Sequence, residues 1–485
     1  MIEPASRPDP RPLPVNRVRE ALGEPAMPGN AETFAGVGID SRAVRRGCLF
    51  VGLRGERNDG SAFGAAAARA GAAGVVATSA PPADLPPGVA WWTVEDGLAA
   101  LHRIAFAHRS AVSPRIVCIT GSNGKTATKE LVASVLAQAF PVVHTPGNLN
   151  SLVGLPLSLL ELGPEHAWGV FEIGTNRAGE VARLAALARP DVGIITNVGP
   201  SHLEGLGSVE GVLKEKTDLA AALGREGTLI YGGDGERLSG AVQAFSCAKV
   251  SFGMRAGNDV HPEWAELDAE GHPVFEVAGL GRLRLRLVGL PNLLNALAAI
   301  AVGRLAGLPP AAIRRGLEAV EPMPLRMDVS RVGGVTVIQD CYKADPDSML
   351  RGVETLRALA REGRRVAVLG AMRELGGEAQ RLHYELGREL AREPLDLLVV
   401  YGDEAVPIAR GYQAGTGAPV FLFRDYGRLV RFLEERVQPP ASVLFKASRG
   451  IALEHAARAY LGDLSAHAVP SVQAAGRTRG NARGD

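Results

Sequence analysis

Cysteine is scarce in this chain of 485 residues: Cys48, Cys118, Cys247 and Cys341 are too scattered to form a CxxC pair or a disulfide framework. A reducing cytoplasm is therefore the expected compartment. No uninterrupted apolar run approaches the roughly 20 residues needed to span a bilayer, and the opening MIEPASRPDPRPLPV contains no apolar stretch of signal-peptide length. Neither insertion into a membrane nor passage across one is expected. An excess of one charge is also missing. Lys and Arg number 53 against 52 Asp and Glu, a formal net charge of +1, so there is no field to gather a polyanion and nucleic acid is a poor partner.

What is present is ordinary globular composition, with 46% hydrophobic and 22% charged residues. The length exceeds what one core usually serves, which points to several domains. Residues 1–24 are rich in Pro and charge and read as a flexible arm, and the Gly/Arg-rich tail 463–485 reads as disordered. Between them, GVGIDSRAVRRGCLFVGLRG suggests short strands split by turns, followed by an Ala-rich helix and the strand AGVV, giving a first domain over 25–113. From residue 114 to 321 the pattern is strand IVCIT, Gly-rich turn, helix ATKELVASVLAQAF, then strands WGVFEIG and VGIITN with helices between, the mark of a parallel sheet. A third run, 322–462, alternates VTVIQD, RVAVLG, DLLVVYG, PVFLF and SVLFKAS with helices. That is a Rossmann-like α/β pattern, but no GxGxxG follows its first strand, so dinucleotide binding has no support.

The sharpest motif is Gly121-Ser122-Asn123-Gly124-Lys125-Thr126, set directly after an apolar strand and directly before a helix. Glycines let backbone N–H groups close around phosphate oxygens and the helix N-terminus adds positive potential. Lys125 would neutralise the outer phosphates and Thr126 could ligate Mg²⁺. The spacing is GxxGK[ST], shorter than GxxxxGK[ST], because Ile119 stands where the first glycine would be. A plain Gly turn with an exposed lysine is the competing reading, and the flanking strand and helix weigh against it. Nucleotide-bound Mg²⁺ needs hard oxygen ligands from neighbouring strand ends. Glu172 ends WGVFE; Thr196 and Asn197 end VGIITN, with His202 in the loop beyond.

The segments TGSNGKTATKE, FEIGTNRAGEV, TNVGPSHLEGLGSVEGVLKEK and CYKADPDSM, in that order, resemble the Mur ligases, and most closely the branch that adds D-alanyl-D-alanine to UDP-N-acetylmuramoyl-tripeptide. The likeness covers about residues 34–460. It implies three α/β domains: a small UDP-binding domain, a central P-loop ATPase-type sheet with helices, and a Rossmann-like C-terminal domain. It also implies an ATP-dependent carboxylate–amine ligase of peptidoglycan synthesis that acts as a monomer on those two substrates. By family position, Gly121 to Thr126 hold ATP, with Asn292 and Asn295 near the adenine, Arg326 entering the ATP site from the third domain and Asp340 near the ribose. Lys125, Lys216 and His202 are catalytic, and Thr126, Glu172, His202 and Lys216 serve two Mg²⁺ ions, Lys216 as a carbamylated lysine. Ser41 and Arg42 meet the donor's uridine and diphosphate end, and Asn148 and Asn150 meet substrate. A hinge is expected near residues 320–325, because the family's arginine acts when domains close.

Departures from the family pattern are Pro291 for a usual histidine, Ser151 and Leu152 after Asn150, Lys343 and Asp345 in what is usually YNANP, and Ala371 in what is usually GDM. They keep two other readings open, a ligase adding diaminopimelate or lysine and a non-catalytic nucleotide-binding homologue. Against the first, the DNPR-type motif of the tripeptide-forming ligase is missing. An NTPase switch is a further alternative, but it lacks a conventional metal strand ending in Asp.

Overall fold

The structure, a computed structural model, describes residues 10–55, 58–361 and 363–468. It is an α/β chain built on three main sheets, of four, six and six strands, in the three-domain arrangement implied by the sequence. The first two of these sheets lie in one compact unit, which takes in the described residues of 10–266, 273–286 and 291–320. The third belongs to a second unit made of 267–272, 287–290 and the described residues of 321–468. The short returns at 267–272 and 287–290 fall inside the span expected to belong wholly to the central domain. Arg361 and Arg331 account for the first of them, donating to the backbone oxygens of Leu267 and Glu270, each at 2.9 Å.

In the first sheet, strands Val37–Gly38, Leu49–Val51, Gly74–Ala77 and Ala90–Thr93 run parallel. Side chains alternate across a strand, so Leu49, Val51, Val76 and Trp92 enter one core while Phe50, Val75, Ala77 and Trp91 enter another. The first core is continuous with that of the central sheet through the helix Gly97–Ala111, whose Leu101, Ile104 and Ala105 are buried there beside Ile116 and Phe171.

The flexible arm expected over 1–24 is corrected in part. Residues 1–9 lie outside the described set, but Val15–Leu22 is a helix with Val15, Val18 and Ala21 buried on one face. It packs on the helix Gly97–Ala111, and the oxygen of Gly23 accepts from Trp92 Nε1 at 2.9 Å. Proline and charge dominate the composition of this stretch, yet three apolar residues at helical spacing decide its conformation. At the other end, the helix Glu454–Ala468 continues past residue 463, where disorder was expected, and 469–485 lie outside the described residues.

The central sheet is wholly parallel, with the strand Arg115–Thr120 in the middle. To one side lie Trp168–Glu172 and Val142–His144; to the other lie Val192–Ile195, Thr228–Gly232 and Ala248–Phe252. The chain thus leaves the middle strand first to one side and later to the other, and the carboxyl ends of strands at such a reversal are where open α/β sheets bind ligands. Register places Ile119 beside Glu172 and Thr120 beside Ile195, so the residues that follow emerge at one edge. A small antiparallel sheet over Trp264–Arg284 had no forerunner in the sequence reading.

In the second unit the five expected strands appear as Val335–Asp340, Arg364–Leu369, Leu397–Tyr401, Phe421–Phe423 and Ala441–Lys446. A sixth, Asp328–Val332, pairs antiparallel with the first of them. Asp340 and Lys446 are register partners at the ends of adjacent strands, and Lys446 Nζ lies 2.5 Å from Asp340 Oδ2. Lys446 is only 1% exposed. Removing one member of a buried ion pair strands the other charge. Lys446→Met is therefore expected to lower the stability of this unit by about 3 kcal/mol, read as a drop in denaturant midpoint by hydrogen exchange of its central strands. Asp340→Asn in the same chain should recover most of the loss.

Candidate active site

The turn Gly121–Gly124 leads from the middle strand into the helix Lys125–Leu136, and Gly121 and Gly124 carry it through φ of 144° and 81°. Neither position has room for a side chain. A Cβ at Gly121 would stand 1.9 Å from Thr196 Oγ1, and one at Gly124 would stand 2.3 Å from Asn295 Oδ1. Lys125 folds back over the turn, its Nζ donating to the oxygens of Gly121 at 2.8 Å and Ser122 at 3.3 Å. This sets an ammonium above a ring of backbone groups, the arrangement that suits a polyphosphate.

The neighbouring strand end braces the turn. Asn197 Oδ1 accepts from Asn123 N at 2.9 Å, the Asn197 oxygen accepts from Ser122 N at 3.0 Å, and Thr196 Oγ1 donates to Asn123 O at 2.5 Å. Ser201 Oγ donates to Ser122 Oγ at 2.8 Å, which ties the residue before His202 to the same turn. His202 itself sits in the left-handed region at φ 54° as the N-cap of Leu203–Leu206. Asn295 reaches the loop helix from the helix Leu290–Leu305: its Oδ1 accepts from Thr128 Oγ1 at 3.2 Å and its amide donates to Asn292 Oδ1 at 3.1 Å.

Glu172 is the centre of the polar cluster. It is 2% exposed; Thr126 Oγ1 donates to its Oε2 at 2.8 Å and Asn150 Nδ2 to its Oε1 at 2.7 Å. A buried carboxylate beside a threonine hydroxyl at the first turn of a phosphate-loop helix is a hard-oxygen donor set that fits Mg²⁺. Among the described residues, no three His, Cys, Asp or Glu side chains gather as a metal cluster. Phosphate-bound magnesium does not require one, because the nucleotide and water supply the remaining oxygens. Asn148 lies exposed on the same loop, its oxygen accepting from Asn150 N at 2.8 Å.

The three residues of the KEK segment have separate fates. Lys214 is exposed; Glu215 is buried, accepting from Gly179 N at 2.7 Å, Val181 N at 2.8 Å and Thr175 Oγ1 at 2.9 Å. Lys216 is 0% exposed on the helix Val209–Leu223, which packs on the strands Arg115–Thr120 and Val192–Ile195. In the first domain Ser41 and Arg42 lie in a short 3₁₀ turn. Arg42, 88% exposed, forks Asp40 through Nε at 2.9 Å and Nη2 at 2.7 Å. These hydrogen bonds, with a further one from the Arg42 backbone, pull the Asp40 carboxyl down to about 2. In the second unit Arg326 lies over the Tyr342 ring, 3.8 Å from its centroid, and Asp340 holds Lys446.

Sequence profiles of the Mur ligases match along the chain: the family's catalytic domain over residues 33–152, its middle domain over 119–303 and its glutamate ligase domain over 325–449. The UDP-N-acetylmuramoyl-tripeptide–D-alanyl-D-alanine ligase of Bacillus subtilis is 34% identical over 422 residues, 86% of this chain and 91% of that one. The chain belongs to the Mur ligase family. The Escherichia coli ligase of the same name is 33% identical, over 88% of this Mur ligase and 94% of the relative. A crystal structure of MurF from Acinetobacter baumannii superposes with a TM-score of 0.83 at 28% identity, covering 94% of this chain and 100% of that one. MurF of Thermotoga maritima in complex with ADP gives 0.79 at 29%, covering 89% and 98%. The protein is an ATP-dependent ligase of cell-wall biogenesis. No helix among the described residues is long and apolar enough to cross a membrane.

Two residues of this Mur ligase's site escaped the sequence reading. Thr145, 0% exposed, accepts from Glu172 N through its hydroxyl at 3.1 Å, and Lys129, also 0% exposed, donates to the Thr145 oxygen at 2.6 Å. The signal for Lys129 was its place one helical turn beyond Thr126, which puts it on the same side of the helix.

Proposed function

We propose that this Mur ligase joins D-alanyl-D-alanine to UDP-N-acetylmuramoyl-tripeptide through an acyl phosphate. The observation that carries the reading is the meeting of Thr126, Glu172 and Asn150 at the mouth of the Lys125 loop, and the name shared by the relatives supplies the substrates. A carboxylate has a poor leaving group and little positive character at carbon. Attack of its oxygen on the γ-phosphorus expels ADP and makes the carbon reactive. The amine nitrogen then adds to that carbon, loses a proton, and phosphate departs. Lys125 offsets the repulsion between carboxylate and phosphate, and the backbone N–H groups of the turn fix the phosphates for in-line attack. Magnesium, held by Thr126 and Glu172, would supply further positive charge at the phosphates.

A second ion served by His202 and a carbamylated Lys216 belongs to the same proposal, supported by the complete burial of Lys216 where the exposed Lys214 is excluded. Lys216→Ala is expected to lose activity that short carboxylic acids partly restore; wild-type turnover without added acid would remove Lys216 from the mechanism. Ser41 and Arg42 are assigned to the donor's uridine diphosphate end, Asn148 and Asn150 to substrate, and Asn292 and Asn295 to the adenine. Arg326 and Asp340 keep their family roles toward ATP, and the working unit is a monomer.

The test is to supply UDP-muramoyl tripeptide and ATP with D-alanyl-D-alanine, diaminopimelate or lysine in turn and to weigh the product. A mass increase matching the dipeptide is expected. ADP release only with diaminopimelate or lysine overturns the choice of amine. Steady hydrolysis without any amine points to a switch, and no turnover at all points to a non-catalytic homologue.

A further inference from the structure

Lys129 is wholly buried, and the machinery described above makes no chemical use of it. Its Nζ donates to the oxygens of Thr145 at 2.6 Å and Gly147 at 3.4 Å, and Glu130 Oε1 lies 2.8 Å away. An ammonium withdrawn from water is costly unless its hydrogens are met, whereas an apolar side chain of similar length would carry no such cost. Those bonds fix a stretch of backbone beside the site.

They hold the loop that frames Glu172. Thr145 is fixed on three sides: its N donates to Val170 O at 3.0 Å, its hydroxyl accepts from Glu172 N at 3.1 Å, and its carbonyl takes the lysine. Five residues further on, Asn150 Nδ2 donates to Glu172 Oε1 at 2.7 Å while its oxygen accepts from Gly174 N at 2.8 Å. Asn148 stands exposed between these two anchorages. One end of the loop is therefore tied to the helix that carries Thr126, and the other to the carboxylate that Thr126 meets.

We propose that Lys129 is a positioning residue that sets the loop 145–150, and through it the orientation of the Glu172 carboxylate toward Mg²⁺ and of Asn148 and Asn150 toward the donor. This rests on the reading of Glu172 as a metal ligand. Groups that orient a ligand from behind typically change metal affinity or activity by roughly 10–100-fold when removed.

The test measures calorimetric Mg²⁺ binding to the ADP-loaded protein, and steady-state ligation as a function of Mg²⁺, donor and ATP, in Lys129→Met, Lys129→Arg and Thr145→Val. In Lys129→Met the half-saturating Mg²⁺ concentration and the donor KM should rise about 10-fold or more, with the ATP KM nearly unchanged because the Gly121–Gly124 turn is intact. Lys129→Arg, which keeps the donors, should recover part of the shift. A folded Lys129→Met protein with wild-type Mg²⁺ and donor dependence overturns the proposal. Should Lys129→Met fail to fold, Thr145→Val decides: it leaves the lysine and removes only the hydroxyl that meets Glu172 N, and wild-type Mg²⁺ dependence in it is equally fatal. Glu172→Gln separates the two claims. If it leaves Mg²⁺ dependence untouched, the metal reading fails by itself; if it shifts that dependence while Lys129→Met and Thr145→Val do not, only the positioning role fails.

Discussion

Lys125→Met should lower kcat/KM for ligation by about 10²-fold or more while leaving the fold intact. The side chain lies over the turn and donates to two of its carbonyl oxygens, so its ammonium is placed before any phosphate arrives and no reorganisation is needed as negative charge shifts in the transition state. Methionine keeps the length and the packing of the stem but removes the charge. The loss should fall mainly on kcat, because backbone N–H groups and the helix N-terminus still grip the phosphates of bound ATP. Calorimetric ADP affinity and single-turnover acyl-phosphate formation, measured together, separate the two. A weakened nucleotide affinity with an unchanged chemical step would mean that Lys125 serves binding alone.

Local pattern made the phosphate loop and its partner strands readable in the sequence. An apolar strand, a Gly-rich turn and a helix start fall within a dozen residues, and parallel strands deliver their ends to one edge whatever the intervening lengths. Glu172, Thr196 and Asn197 could be placed for that reason. Pairings across long separations left no such trace. Lys446 meets Asp340 across 106 positions, and nothing near either residue foretells the other. Burial was equally hidden: Lys214 and Lys216 are alike as letters, and only the packing of their helix on the sheet separates a solvated lysine from a buried one. Lys129 was passed over because a lysine within a helix normally faces water. The helix Val15–Leu22 was missed because Pro and charge outweighed three apolar residues at spacing three. The antiparallel strand Asp328–Val332 was missed because five strand–helix alternations already completed a familiar pattern.

Gly121→Ala is expected to weaken ADP binding and to reduce ligation, each by about 10²-fold or more; two causes can be separated experimentally. The first is backbone strain: φ of 144° lies where L-residues are rarely found, and holding alanine there costs about 1–3 kcal/mol. The second is collision, since the new Cβ would stand 1.9 Å from Thr196 Oγ1. That hydroxyl cannot withdraw freely, because it donates to Asn123 O at 2.5 Å and so braces the turn it would have to leave. A free turn that relaxes out of this conformation must be forced back on binding, which would weaken affinity by about 5–150-fold, the factor that 1–3 kcal/mol represents. The collision adds displacement of the turn itself, and it should dominate. Thr196→Gly relieves the collision without touching φ, so Gly121→Ala/Thr196→Gly should bind ADP more tightly than Gly121→Ala alone, yet less tightly than Thr196→Gly alone. Equal affinity in the double variant and in Gly121→Ala would assign the whole loss to the backbone. The sheet beneath is formed by strands that end before the turn, so thermal unfolding of all three variants should stay close to that of the parent.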